Sequence, residues 1–227
     1  MTKAVVLFDV VNTLVKEAKD ESSFLAEAIR GIYGFSVEVR ASDYEGMASQ
    51  EAVEALLLKN GVEKDYVEER LQRIVEELPY SYYNVAGHDK MLAMEGANDA
   101  IKTLAKNDIT LGLVTGAAKG MVTNMFDRAG LDFQAFKFGV YGNSGKTMED
   151  IVKVAAETVS NGAGLNRERI VVVSSSPRTI SGAKASGLIP IGVTTGSFSA
   201  EQLRQAGAKI VMNRLTDKKE ILKAALS

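Results

Sequence analysis

The 227-residue sequence has no cysteine. That absence excludes disulfides, thiolate metal sites and a cysteine nucleophile together. Its single histidine, His88, reads as a surface or hinge residue rather than a catalytic one. Neither charge sign dominates: the net charge is −2 and the sequence pI about 5.6, so there is no bulk attraction to nucleic acid or to an anionic membrane. Any anionic ligand must be held locally. No apolar run reaches the ~18 residues that a membrane-spanning helix needs. Met1 leads almost directly into a strand-like run, leaving no room for a signal sequence. These features predict a cytoplasmic protein with no nucleic-acid or membrane partner; they leave the oligomeric state open.

What is present is ordinary for a globular chain. With 46% hydrophobic and 25% charged residues, it can form one large domain, or one domain carrying an insert. Short β-branched runs alternate with helix-patterned stretches, which predicts parallel βα units in a doubly wound α/β sheet. The expected strands are Ala4 to Asp9, Ile109 to Thr115, Phe136 to Val140, Arg169 to Ser174 and Ile189 to Val193, with a short sixth at Lys209 to Met212. In such sheets ligands collect outside the carboxyl ends of the strands. Asp9, Thr115, Gly142 to Lys146 and Ser174 to Ser176 are therefore expected around one crevice.

Residues 15–93 break the alternation. They show helical periodicity in three apolar stripes: Phe24, Leu25, Ala28, Ile29 and Ile32; Val53, Leu56, Leu57 and Leu58; and Tyr66, Val67, Leu71, Ile74 and Val75. Gly34, Gly61 and Pro79 punctuate the stripes. The expected organisation is an inserted all-helical cap over 15–93 on an α/β core formed by 1–14 and 94–227. Tyr80, Tyr82 and Tyr83, near the return to the core, either pack at the junction or line a substrate entrance.

Four loops carry chemistry. Phe8-Asp9-Val10-Val11-Asn12-Thr13-Leu14 follows the first strand and Leu113-Val114-Thr115-Gly116 the second. Gly145-Lys146-Thr147 precedes a helix, and Val173-Ser174-Ser175-Ser176 precedes Pro177-Arg178-Thr179. Together with the helical insert, and in this order, they resemble the haloacid dehalogenase (HAD) superfamily, closest to helical-cap members such as phosphoglycolate-phosphatase-like hydrolases. The resemblance implies a Rossmann-like core, Asp9 as nucleophile and Lys146 as its catalytic cationic partner. It also implies Asn12, Thr115, Gly116, Ser174 and Ser175 as contacts to a phosphoryl group, and a small anionic or phosphorylated metabolite as ligand.

The sequence departs from that pattern at three acids. The family's usual proton donor, two residues after the nucleophile, is Val11, and a valine has no proton to give. The two fourth-loop aspartates that hold magnesium fall on Ser175 and Thr179. Magnesium wants hard, mostly anionic oxygen ligands, so no cofactor is expected beyond weak magnesium; Glu149 and Asp150 are the nearest substitute acids. The expectation is a degenerate active site on a phosphatase scaffold, with weak or absent magnesium-dependent activity. Two alternatives remain. One is a non-catalytic relative that binds an anionic metabolite. The other is a metal-independent 2-haloacid dehalogenase-like hydrolase using Asp9, Lys146 and Arg40. A P-loop around Lys146 is excluded, because the motif needs glycine where Val140 stands.

Overall fold

The computed structural model describes residues 4–16, 23–86 and 90–226. His88 lies outside these residues. Six parallel strands form the central sheet: β1 (Ala4–Phe8), β4 (Ile109–Val114), β5 (Phe136–Val140), β6 (Ile170–Ser174), β7 (Ile189–Val193) and β8 (Ile210–Met212). All six expected strands are present, within one residue at each end. Their spatial order is β5-β4-β1-β6-β7-β8. β1 is central, and Val6 pairs with Leu111 on one side and Val171 on the other. All five residues of β1 are buried, as are all five of β6. Covered on both faces, such strands must be continuously apolar rather than alternating, and Ala-Val-Val-Leu-Phe meets that requirement.

From β1 the chain proceeds outward through β4 and β5, then returns to place β6 on the opposite side of β1. This reversal leaves a crevice at the carboxyl end of β1. Helices α4 (Ala97–Lys106), α5 (Lys119–Ala129), α6 (Met148–Ala163), α7 (Pro177–Ala185), α8 (Ala200–Ala206) and α9 (Lys218–Leu226) flank the sheet.

The helical segment follows β1. A two-residue strand, β2 (Val15–Lys16), pairs antiparallel with β3 (Leu92–Ala93), tying the outgoing and returning chain together. Between them lie α1 (Ser23–Tyr33), α2 (Ser49–Lys59) and α3 (Lys64–Ala86). Pro79 was expected to punctuate the stripes, but α3 runs through it. Its missing N–H costs one helical bond, while Val75, Leu78 and Tyr82 on either side are buried and hold the turn in place. Leu58 leaves its expected stripe: Leu56 and Leu57 are buried while Leu58 is 42% exposed, because three consecutive residues cannot share one helical face. Tyr66 is likewise exposed and stacks under the Arg70 guanidinium, 3.8 Å from the ring centre. Tyr82 packs edge-on against Phe24 at 5.3 Å, which is junction packing. Tyr80 and Tyr83 point to solvent.

Candidate active site

Asp9 is the first residue beyond β1, and its amide still bonds the Val173 carbonyl of β6 at 3.0 Å. Its carboxylate is enclosed by neutral donors. The Val10 amide donates to Oδ1 at 2.8 Å, and the hydroxyls of Ser174 and Thr179 donate to Oδ2 at 2.7 and 3.0 Å. The Thr115 hydroxyl adds a further hydrogen bond. Burial pushes the Asp9 carboxyl above its ordinary range, and these four hydrogen bonds oppose the shift without cancelling it.

The neighbouring loops build this cage. The Ser176 amide donates to Ser174 Oγ at 2.9 Å, orienting that hydroxyl toward Asp9. Thr13 Oγ1 accepts from the Ser175 amide at 3.0 Å and donates to Ser175 Oγ at 3.2 Å, clamping the first loop to the fourth. Asn12 takes a left-handed backbone (φ 56°), which asparagine tolerates better than most residues, and its carbonyl accepts from Thr195 Oγ1 at 2.6 Å.

Above Asp9 is a cavity of about 100 Å³. Its floor comes from the strand ends, through Asp9, Val11, Asn12, Thr115, Gly116, Ser175 and Ser176. The segment before α2 forms a second wall with Tyr44, Glu45, Gly46, Met47 and Ser49. Phe24, Leu25, Met121, Met125, Met148 and Phe198 close the rest. Backbone fit holds the walls together. Gly116 O accepts from both the amide and the hydroxyl of Ser49, at 3.0 and 2.7 Å. A Cβ at Gly116 would lie 2.6 Å from the Met47 carbonyl.

The crevice brings together Asp9, Asn12, Thr115, Gly116 and Ser175. Ser174 and Thr179 are fully buried behind Asp9 and do not reach the cavity wall. Lys146 is placed elsewhere: its ammonium pairs with Glu54 on α2 at 2.8 Å, half exposed, and it is not among the partners of Asp9. The expected Lys146–Asp9 pair is therefore not formed. Glu54 meets the ammonium where Lys146 stays half exposed, whereas a pair with Asp9 would require burying the lysine inside the hydroxyl cage. Arg178 is likewise held by Glu51 of α2, and Arg40 by Glu38. Thr147 is the N-cap of α6, its hydroxyl accepting from the Asp150 amide while the Asp150 carboxylate accepts from Thr147. Asp150 is thereby committed to the helix end.

These residues do not fit a magnesium ion. Among the described residues Asp9 is the only carboxylate that the strand-end loops bring to the cavity, its Oδ2 already faces two hydroxyl hydrogens, Glu45 in the opposite wall is held by Asn12 and Ser197, and Val11 contributes no side-chain ligand atom. Among the described residues no three of His, Asp and Glu come together. Glu45, Ser49, Met47 and the other cavity methionines were not anticipated from sequence. No local motif marks them: the 44–49 segment meets the site by packing on the loop after β4, while Met121 and Met125 come from α5 and Met148 from the start of α6.

The fold is a Rossmann-like parallel α/β core with an aspartate directly after its first strand. The chain belongs to the haloacid dehalogenase-like hydrolase family, whose model matches residues 3–187. Solved structures extend the likeness over the whole chain. A hydrolase from Pseudomonas syringae superposes with a TM-score of 0.76 at 18% identity, covering 99% of this chain and 100% of that one. A protein described as a predicted phosphoglycolate phosphatase from Haemophilus somnus gives 0.73 at 18% identity, covering 98% and 99%. The β-phosphoglucomutase of Clostridium difficile gives 0.73 at 16% identity, covering 99% and 97%. At these identities the likeness is one of fold. No curated protein matches the sequence. No helix among the described residues is long and apolar enough to cross a membrane.

Proposed function

We propose that this chain is a metabolite-binding member of the hydrolase family in which Asp9 keeps the nucleophile position while magnesium-dependent hydrolysis of phosphomonoesters is weak or absent. Residues 15–93 act on this reading as a cap that closes a small ligand over Asp9. The observation that carries the proposal is the composition of the cage. Among the described residues, every group bonded to the Asp9 carboxylate is a neutral hydroxyl or amide, and the remaining acid positions on this reading are Val11, Ser175 and Thr179.

The chemistry follows from charge. An ionised Asp9 beside a phosphate dianion, with neither a metal nor a cation between them, meets a repulsion on the order of a few kcal/mol at short range. Phosphoryl transfer on this site therefore lacks the charge neutralisation it depends on. Val11 also leaves the leaving group without a proton donor. The 2-haloacid alternative requires a cation facing the substrate carboxylate, and neither Lys146 nor Arg40 lines the cavity.

The test is hydrolysis of an aryl phosphate and a panel of small phosphomonoesters, with and without magnesium, by wild type and Asp9→Asn. The expected result is background turnover that neither magnesium nor the substitution changes. Turnover that needs both magnesium and Asp9 overturns the proposal.

A further inference from the structure

The cavity over Asp9 has a charge pattern that its neighbourhood does not. Two carboxylates line it, Asp9 and Glu45, and no lysine, arginine or histidine does so among the described residues. Among the described residues, both acids are held by neutral donors only. Glu45 accepts from Asn12 Nδ2 at 3.4 Å, from the Ser197 amide at 3.4 Å and from Ser197 Oγ at 2.6 Å. By contrast, the two glutamates of α2 just outside the cavity each have a basic partner, Glu51 with Arg178 and Glu54 with Lys146. Lys146 and Arg178 are thus paired outside the site, and among the described residues the carboxylates inside it have no counter-charge.

The rest of the wall suits a soft, apolar body. Met47, Met121, Met125 and Met148 supply polarisable thioethers, and Phe24, Tyr44 and Phe198 supply rings. Aromatic faces attract cations electrostatically, and methionines adapt their shape to an irregular guest. A cavity of about 100 Å³ is smaller than the ~150 Å³ that accommodates a benzene ring. Its guest is accordingly compact.

We propose that the cavity takes a small organic cation, a short-chain alkylammonium ion, whose charge is met by Asp9 and Glu45 and whose alkyl groups pack on the methionines and aromatic rings. This rests on the reading that the cavity over Asp9 is the ligand site, and it names the ligand class. An ammonium supplies the positive charge that the protein withholds from both acids. A phosphate ester brings a third negative charge and finds no cation. A neutral guest fills the space but leaves the acids uncompensated.

The probes are isopropylammonium, its near-isosteric uncharged analogue 2-propanol, and methyl phosphate, each with fewer non-hydrogen atoms than benzene or as many, titrated separately into protein carrying 13C-methyl methionine. The methyl resonances of Met47, Met121, Met125 and Met148 report occupancy of the cavity. Isopropylammonium is expected to shift these four and to bind about tenfold more tightly than 2-propanol, the order of effect of one charge pair in a partly solvated site. The difference is expected to shrink in Glu45→Gln, which keeps an oxygen for the Ser197 donors. Equal affinity for the ammonium and the alcohol, or tighter binding of methyl phosphate, overturns the cation class while leaving the site reading intact. Failure of all three probes to move the four methyls overturns the site reading as well.

Discussion

Lys146 Nζ lies 2.8 Å from Glu54 Oε2 and 3.0 Å from Oε1, so the lysine of the third loop is bound to the helical insert instead of to Asp9. With Arg178 bound to Glu51 one helical turn earlier, α2 holds two core cations along one edge. The insert and the core are further joined where Ser49 caps the Gly116 carbonyl and Ser176 donates to the Gly46 carbonyl.

Because Lys146 is half exposed, its ion pair is worth little to stability. Glu54→Gln is expected to lower the unfolding free energy by less than about 1 kcal/mol, measured by urea denaturation. A much larger loss would show that the pair fastens the insert to the core.

Burial raises the Asp9 carboxyl above its ordinary value, so the folded state holds the proton more readily than the unfolded one. The contribution of Asp9 to stability is then fully present below the unfolded pKa and is lost as pH rises through the folded pKa. Asp9→Asn removes this loss. Its amide oxygen still accepts from Val10, and the Ser174 and Thr179 hydroxyls can rotate to accept from the amide nitrogen. The variant is expected to be at least as stable as wild type at neutral pH and to show a flatter stability profile from pH 4 upward, read from denaturation midpoints across that range.

On the proposed reading, placing acids at positions 11, 175 and 179 is expected to create a metal requirement. In the triple variant Val11→Asp, Ser175→Asp, Thr179→Asp, the new carboxylate at the fully buried position 179 crowds Asp9 and destabilises the metal-free protein. Magnesium binding only the folded state then restores stability by mass action. The melting temperature of the triple variant should rise with magnesium, while that of wild type should not. No magnesium response in the triple variant would count against the assignment of the three positions.

The close approach of the insert to the second loop leaves no room at Gly116. Gly116→Ala places a methyl 2.6 Å from the Met47 carbonyl and 2.7 Å from Ala48 Cα, both backbone atoms that cannot swing aside. A loss of about 1–3 kcal/mol is expected, with the methyl resonance of Met47 displaced.

Leu57 and Leu58 are adjacent in sequence and opposite in environment. Leu57→Ala is expected to cost about 2–5 kcal/mol and Leu58→Ala under about 0.5 kcal/mol, by denaturation of the two single variants. Similar losses would place α2 in a different rotation.

The strands were legible in the sequence because a sheet covered on both faces imposes a strong local signature. Val5, Val6, Leu7 and Phe8, or Val171, Val172 and Val173, have no polar alternation to confuse with anything else. The Asp9, Thr115 and Ser175 positions were legible for a related reason, since strand ends in a doubly wound sheet converge whatever the loops contain. The sequence also determined that Val11, Ser175 and Thr179 carry no carboxylate, and such side chains cannot ligate a cation as aspartates do in any fold. Only the tertiary structure decided where the cations went. Lys146 and Glu54 are 92 residues apart, and no local pattern states that a partly buried carboxylate on α2 takes the lysine in place of the one just beyond β1. The cavity wall was equally invisible. Glu45, Met47 and Met148 meet over Asp9 because the insert folds back on the strand ends, a long-range packing outcome that burial of apolar surface drives and helical periodicity alone does not encode.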